Sequence, residues 1–239
     1  MERIEEEQMR QLYDTEKGCS LHLMYLEGGL VPARYIIMGN LANFLQYILQ
    51  EKLYSILLNM LQAQIKHTLK NDWNTNAKYI LNKLQIVLSY EEIKAMKKSI
   101  FKKLVRNKVE TLAFLELTEK QKAGRKGRQI NYGEKLQMAD YLLPESNINL
   151  EDQKYIFKLR TRTNKLPSNW GEEVSCETGC GQLLSNEHIL NCPILNETGS
   201  ENIEINLIYN GTIEEKISVL NAFRRNITER IKYLPLDSQ

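Results

Sequence analysis

The 239-residue sequence lacks the features of a membrane or secreted protein. It has no run of about 18 apolar residues, which is roughly what a bilayer-spanning helix needs, so we expect no membrane span and no membrane partner. Its acidic start, MERIEEEQM, does not have the composition of a secretory signal. It has only four cysteines, and three of them are clustered, which suits a reducing compartment. We therefore expect an intracellular protein, nuclear or cytoplasmic, that is not secreted.

Common catalytic motifs are also missing. The chain contains no G-x-S-x-G nucleophile motif, no Walker loop and no dinucleotide-binding fingerprint. The chain has five aspartates, and no two are adjacent: Asp14, Asp72, Asp140, Asp152 and Asp237. The sequence therefore offers no adjacent aspartates to hold two catalytic metals, and because the other motifs are missing too we expect a protein that is not an enzyme.

The most informative feature that is present is a cluster of cysteines and a histidine. Cys176, Cys180, His188 and Cys192 have the spacing C-x3-C-x7-H-x3-C within CETGCGQLLSNEHILNC. Thiolate and imidazole are ligands that Zn²⁺ prefers, and three cysteines with one histidine complete a closed tetrahedron. A closed site leaves no position for a reactive water, so the spacing predicts a structural Zn²⁺. The alternative is two or three buried cysteines beside an incidental surface histidine.

The residues between these four suit a small metal-binding module. Gly179 and Gly181 flank Cys180 and allow a tight turn. Ser185 can cap a short helix that places His188 and Cys192 four residues apart on one helical face. The four ligand atoms should then converge to within about 4 Å of one another.

Apolar residues recur at three- and four-residue intervals through most of the chain, which is typical of amphipathic helices. The pattern predicts helices over 2–13, 32–49, 51–70, 74–87, 90–118, 133–143, 149–165 and 213–233, with a weak strand signal over 201–209. The expected fold is mainly α: a helical bundle, then a small zinc-knuckle module and a C-terminal helix. The predicted domains are a helical domain over 1–120, a basic linker over 121–132 and a helical and zinc-knuckle domain over 133–239.

Basic residues are concentrated although the net charge is only +2. Residues 91–135 hold thirteen bases and six acids, a local charge of +7, which favours a polyanion partner. Positions 94, 98 and 102 are four apart and would align on one helix face. The predicted nucleic-acid contacts are Lys94, Lys97, Lys98, Lys102, Lys103, Arg125, Lys126, Arg128, Arg160, Arg162 and Lys165. The alternative for the lysines is a solvated helix face, and Trp170 is either a base-stacking residue or part of the core.

Three segments together resemble the C-terminal region of non-LTR (LINE-type) retrotransposon reverse transcriptases. They are LEGGLVPARYIIMGNLANFLQYILQ, the pair Asp72-Trp73, and YIFKLRTRTNKLPSNWG followed directly by the cysteine–histidine cluster. The resemblance covers roughly residues 25–235. It implies a basic helical region that follows a polymerase thumb and ends in a Cys-Cys-His-Cys knuckle. The family's paired palm aspartates and its endonuclease residues have no counterpart here.

Two functions remain after these exclusions. The first is a nucleic-acid-binding fragment or derivative of such a reverse transcriptase, acting on RNA or DNA without a polymerase or endonuclease centre. The second is a helical scaffold that binds a protein partner and contains a structural zinc site. The first predicts that the bases of 94–128 and 160–165 converge on one face, and the second that they lie on opposite faces, each paired to a carboxylate.

Overall fold

The computed structural model describes residues 2–15, 19–50, 55–67, 72–195 and 203–231. The helices in these ranges are α1 (Glu2–Tyr13), α2 (Leu21–Gly28), α3 (Ala33–Gln50), α4 (Ser55–His67), α5 (Trp73–Lys83), α6 (Tyr90–Ala95), α7 (Lys98–Ala123), α8 (Leu150–Arg160), α9 (Asn186–Leu190), α10 (Asn206–Asn210) and α11 (Ile213–Ile231). The only β-structure in the same ranges is one antiparallel bridge between Ser175 and Leu183. The predicted mainly α fold is confirmed. None of these helices is long and apolar enough to cross a membrane.

The chain divides into two compact units. The central unit comprises Leu30–Thr118 and Glu134–Leu136, and the terminal unit comprises Met1–Gly29, Glu119–Gly133 and Gln137–Gln239. This grouping places the first 29 residues with the C-terminal part of the chain, unlike the predicted scheme of 1–120, 121–132 and 133–239. Those domain boundaries stay a prediction.

The central unit packs α3 to α6 and most of α7 around one apolar core. Its buried residues come from every one of these helices and include Leu45, Leu61, Leu81, Ile93 and Phe101. Gly39 lets α3 approach α7 closely, because a Cβ there would lie 3.1 Å from a methyl of Val109. On α3 the buried residues follow the predicted three- and four-residue spacing, but on α4 the apolar side chains of Ile56 and Met60 are 73% and 54% exposed, so the periodicity identifies only part of the buried surface.

The predicted helix over 90–118 is wrong in one respect, because the structure has two helices there. Ser89 caps α6: its hydroxyl accepts from the Glu92 backbone N–H, and the Glu92 carboxylate accepts from the Ser89 N–H. Met96 then adopts extended backbone, and α7 begins at Lys98. The amide of Gln46, buried on α3, donates to the Ile93 and Met96 carbonyls that the break leaves free. A side chain distant in sequence therefore stabilises the break.

The terminal unit also departs from the pattern in three segments. Residues 133–139 are irregular, and the predicted helix 133–143 is replaced by 3-10 turns at Asp140–Leu142 and Pro144–Ser146. The weak strand signal is wrong where it can be compared, since Asn206–Asn210 is helical; residues 201 and 202 lie outside the described residues. Helix α8 ends at Arg160, and Arg162 has a left-handed φ of 54° that prevents the helix from continuing to 165.

A buried ion pair lies at the centre of the terminal unit. The fully buried Glu27 carboxylate accepts from the Arg160 guanidinium at 3.1–3.2 Å and from the hydroxyls of Tyr132 at 2.8 Å and Tyr141 at 2.7 Å. Arg160 also donates to the backbone carbonyls of Ile208 and Tyr209. One side chain therefore links α2, α8 and α10.

Candidate metal centre and basic surfaces

The four predicted metal ligands converge in the terminal unit. One ligand atom from each of Cys176, Cys180, His188 and Cys192 lies within 4.8 Å of the other three. A tetrahedron with thiolate bonds of about 2.3 Å has edges of about 3.8 Å, so the group is slightly wider than a closed site. The convergence predicted from the spacing is confirmed, and these four residues form a group that can hold a metal ion. Among the described residues, no other group of three or more such side chains does so.

A short hairpin turn positions the first two cysteines. The Cys176 N–H donates to the Gln182 carbonyl at 2.8 Å, and the Leu184 N–H donates to the Val174 carbonyl at 2.7 Å. Between them Gly179 and Gly181 have left-handed φ values of 79° and 76°. A side chain at either position would be strained, so the two glycines allow the chain to fold back at Cys180.

Helix α9 and the residues after it supply the other two ligands. The Ser185 hydroxyl accepts from the His188 backbone N–H at 3.0 Å, which confirms the predicted N-cap. The helix ends at Leu190, however, and Asn191 leaves the helical conformation. The expectation that His188 and Cys192 share one helical face is therefore wrong, because Cys192 reaches the group from the turn that follows α9.

Hydrogen bonding fixes the orientation of the His188 ring. Its Nδ1 lies 2.9 Å from the side-chain oxygen of Gln182, while its Nε2 lies 3.2 Å from the Cys180 Sγ. An amide oxygen only accepts, so Nδ1 carries the proton and the Nε2 lone pair faces the cysteines. Burial lowers the pKa of His188, which keeps the ring in the neutral form that a metal binds. The alternative of an incidental surface histidine does not fit a buried ring held in this way.

The thiols differ in how readily they ionise. The Thr178 hydroxyl lies 3.2 Å from the Cys176 Sγ and 3.5 Å from the Cys192 Sγ. Burial acts to raise the pKa of Cys180, but hydrogen bonds from the Gln182 backbone and the Thr178 hydroxyl more than offset it, and the net pKa is lowered. Burial dominates at Cys176 and raises its pKa. The site therefore favours a thiolate at Cys180 over one at Cys176, and the thiolate is the form that binds a metal.

The predicted basic residues of the central unit all lie at its surface. Lys94 is on α6, Lys97 precedes α7, and Lys98, Lys102 and Lys103 are on its first two turns. The Lys98 ammonium lies 5.3 Å from the centre of the Tyr47 ring. Lys94, Lys97, Lys102 and Lys103 have no carboxylate partner in the described part of the chain. The break at Met96 separates Lys94 from α7, so the predicted alignment of positions 94, 98 and 102 along one helix is wrong.

The arginines before the metal group are used internally. Arg160 is only 5% exposed and bound to Glu27, so it is removed from the predicted nucleic-acid-binding set. Arg162 is half-buried, donates to the Tyr209 hydroxyl at 3.2 Å and pairs with Glu187. Lys165 is exposed. Sequence spacing gave no sign of these pairings, because the acids are distant in the chain.

In the terminal unit Trp170 lies beside Lys126, one of the three predicted bases between positions 125 and 128. Trp170 is 39% exposed, and its indole N–H donates to the Asn164 carbonyl at 3.3 Å. The Lys126 ammonium lies 3.7 Å from the centre of the Trp170 ring. Arg125 and Arg128 are exposed, and Arg128 donates to the Gly124 carbonyl. Trp170 is therefore neither a core residue nor an open platform, since a cation covers part of it.

The aspartates of the described part have separate structural roles. Asp14 pairs with Lys158, Asp140 with Lys216 and Asp152 with Arg224. Asp72 caps α5 by accepting from the Thr75 N–H at 2.6 Å. Asp237 lies outside the described residues.

Comparison of the chain with protein-family models, with curated proteins and with solved structures gave no match.

Proposed function

We propose that the chain binds nucleic acid through its central unit, and that a structural Zn²⁺ folds part of its terminal unit. We further propose that it derives from the C-terminal region of a non-LTR reverse transcriptase and lacks that enzyme's polymerase and endonuclease centres. One observation carries the binding proposal. Four exposed lysines lie around the start of α7 and have no carboxylate partner among the described residues: Lys94, Lys97, Lys102 and Lys103. We name these four the α7 lysines.

The α7 lysines suit phosphate groups more than base edges. An ammonium is a compact charge on a flexible stem, whereas bidentate recognition of a base is a property of arginine. Each lysine that neutralises a phosphate releases condensed counterions, which makes the affinity fall steeply with salt. The binding should therefore have weak sequence preference. If the four α7 lysines neutralise about four phosphates of a duplex, the affinity should fall roughly a hundredfold between about 50 and 200 mM salt.

A charge-matched pair of variants tests this proposal. Lys97→Ala, Lys102→Ala and Lys103→Ala together remove three α7 lysines. Fluorescence anisotropy with single- and double-stranded RNA and DNA, at several salt concentrations, measures the affinity of each protein. The slope of log affinity against log salt should become shallower by about two to three units, since each contact contributes about 0.7–0.9.

The matched control is Lys66→Ala, Lys78→Ala and Lys83→Ala, which removes the same charge from exposed positions of α4 and α5. This control should change the slope much less. Equal effects of the two triple variants would show that only net charge matters, and no complex with any substrate at low salt would contradict the proposal.

Three thiolates and a neutral imidazole support Zn²⁺ as the metal, because this closed, soft ligand set suits it. Native mass spectrometry of the purified chain should show one bound Zn²⁺. Cys176→Ser should lose the metal and unfold the local module, since metal binding is coupled to folding there. The same purified chain should not extend a primer with Mg²⁺. Primer extension would overturn the proposed absence of a polymerase centre.

The helical scaffold remains the second candidate because the central unit exposes large apolar side chains. Leu41, Phe44 and Tyr79 are each more than a third exposed, and a groove of about 440 Å³ between α3 and α5 is lined by Leu41, Leu45, Trp73 and Tyr79. Exposed apolar patches with aromatic residues are typical of protein interfaces. Loss of a protein partner in Phe44→Asp, with unchanged nucleic-acid affinity, would favour this function.

A further inference from the structure

Helix α11 is attached directly to the metal group of the terminal unit. The side-chain amide of Asn226 donates to the Ile189 carbonyl at 2.8 Å and to the Leu190 carbonyl at 3.4 Å. Asn226 is buried, and both carbonyls belong to the end of α9, the helix that bears His188. Because helix-end carbonyls have no partner within their own helix, this amide holds α9 against α11.

Arg230 follows one turn later on α11 and contacts a residue next to one of the cysteines. Its Nη2 pairs with the carboxylate of Glu177, which is next to Cys176 in the chain. The Arg230 side chain is only 12% exposed. Its Nε–H is buried and has no acceptor in the described part of the chain. Within the described residues, the largely buried guanidinium therefore has one carboxylate partner and a buried Nε–H that has no acceptor.

When the site holds a metal ion, its negative charge can act as the acceptor that the Arg230 Nε–H lacks. Three thiolates, a neutral imidazole and a divalent metal carry a net charge of −1. Cys176 is the cysteine that interacts electrostatically with Arg230. A metal-bound thiolate still accepts N–H hydrogen bonds, and such outer contacts orient the ligand and tune the metal. A buried negative cluster next to an incompletely satisfied guanidinium is a complementary arrangement.

We propose that Arg230 is a positioning residue of the metal site, which neutralises the excess charge of the loaded cluster and couples the docking of α11 to metal binding. This inference rests on the proposed Zn²⁺ site. It predicts that metal binding stabilises the end of α11, and that α11 in turn raises metal affinity by the same factor. The C-terminal helix thereby becomes part of the metal module although it contributes no ligand.

Zinc competition against a chromogenic chelator, with the full chain, tests the role of Arg230. Arg230→Met should weaken Zn²⁺ binding about 10–100-fold, the usual cost of losing an outer-shell partner. Arg230→Lys, which keeps the charge, should recover part of that loss. The matched control is Arg225→Met, because Arg225 is exposed on the same helix. Its affinity should stay within about twofold of the wild type.

Three further measurements distinguish charge compensation by Arg230 from a purely structural contact. In the Co²⁺-loaded protein the thiolate-to-cobalt charge-transfer band should move to lower energy in Arg230→Met, because the sulfur loses a positive neighbour. Glu177→Gln breaks the ion pair but leaves Arg230 to the thiolates, so its Zn²⁺ affinity should stay at or above the wild-type value. Metal should also slow amide hydrogen exchange at residues 222–231 in the wild type, and less so in Arg230→Met.

The outcomes that overturn the inference are distinct. Wild-type affinity in Arg230→Met would overturn it, and so would an equal loss in Glu177→Gln, which is what a purely structural latch predicts. Far-UV circular dichroism of each variant shows whether α11 is still folded, and Arg230→Lys carries the test if Arg230→Met is not. A wild-type chain that binds no Zn²⁺ would instead refute the metal site itself, and would be seen before any variant is made.

Discussion

Replacement of Glu27 by glutamine should destabilise the terminal unit more than any surface substitution. Glu27→Gln keeps the shape of the side chain and removes its charge, so Arg160 becomes a buried guanidinium without a counter-charge. Arg160 is 5% exposed, and four of its five N–H donors go to Glu27 and to two backbone carbonyls, which leaves it no route to water. Breaking one partner of such a pair costs about 3–5 kcal/mol.

The exposed ion pair of Arg106 and Glu110 is the control for the cost of breaking the buried pair. Its Arg106 side chain is 77% exposed, and the two residues are one helical turn apart on α7. Glu110→Gln should therefore cost less than about 1 kcal/mol, since exposed ion pairs contribute little. The expected difference between the two substitutions, about 2–5 kcal/mol, is a large fraction of a total stability of roughly 5–15 kcal/mol.

The positions of the two tryptophans allow each unit to be measured separately. Trp170 lies in the terminal unit and Trp73 in the central unit. In a Trp73→Phe background, urea unfolding followed by tryptophan fluorescence reports the terminal unit. Glu27→Gln should lower the urea midpoint by roughly 1–3 M, from a slope of about 1–3 kcal/mol per M. A change no larger than that of Glu110→Gln would refute the argument that this pair holds the unit together.

Three other perturbations have defined outcomes. Ser89→Ala removes the capping box of α6 and should cost about 1 kcal/mol in the transition reported by Trp73, whereas Ser99→Ala on the exposed face of α7 should have little effect. Burial raises the pKa of Cys19 to about 12, so in the metal-free protein iodoacetamide should modify Cys180 first and Cys19 only on unfolding; early modification of Cys19 in a peptide map would contradict this. Burial, and to a smaller extent Lys120, lower the pKa of His22 in the folded protein. As the pH falls below about 6.5, the His22 imidazole therefore binds a proton in the unfolded chain before it does so in the folded protein, and the free energy of unfolding should decrease. His22→Gln should reduce this decrease, and His67→Gln, at an exposed position, should not.

Features encoded locally could be predicted from the sequence. The capping boxes at Ser89 and Thr212 follow from residues three apart, and both are present. The metal group is encoded within 17 residues, so its convergence also followed from spacing. In each case the decisive contacts lie within one or two turns of chain, where residue type and spacing are sufficient.

Features that depend on distant residues could not be predicted in this way. The break at Met96 is stabilised by Gln46, about fifty positions earlier, and no periodicity shows such a contact. The segment 133–143 follows a helical pattern, but the Ala139 N–H donates to the Glu27 carbonyl and the Tyr141 hydroxyl to its carboxylate. The sequence predicts Arg160 as a nucleic-acid contact, and it does not indicate the ion pair because Glu27 is 133 positions away. Tertiary contacts override local preference in all three cases.

The proposed metal and nucleic-acid functions depend on different parts of the chain, and this leads to a final prediction. The arginines next to the metal group, Arg160 and Arg162, are bound to Glu27 and Glu187, so they have little charge left to offer phosphates. The α7 lysines lie in the central unit, whereas the cysteines lie in the terminal unit, so we expect the lysines to stay exposed when the metal is lost. Cys176→Ser should therefore abolish Zn²⁺ binding and loosen the terminal unit, while the nucleic-acid affinity and its salt slope stay mostly intact.

The converse should also hold, because Lys97→Ala, Lys102→Ala and Lys103→Ala should weaken nucleic-acid binding without changing the Zn²⁺ content. Anisotropy and native mass spectrometry on the same two proteins compare the functions directly. A Cys176→Ser protein that keeps a folded central unit, judged by the Trp73 transition, but has lost its salt-dependent binding would contradict the assignment. It would move the nucleic-acid surface to the terminal unit, where Arg125, Lys126 and Trp170 would be the next residues to replace.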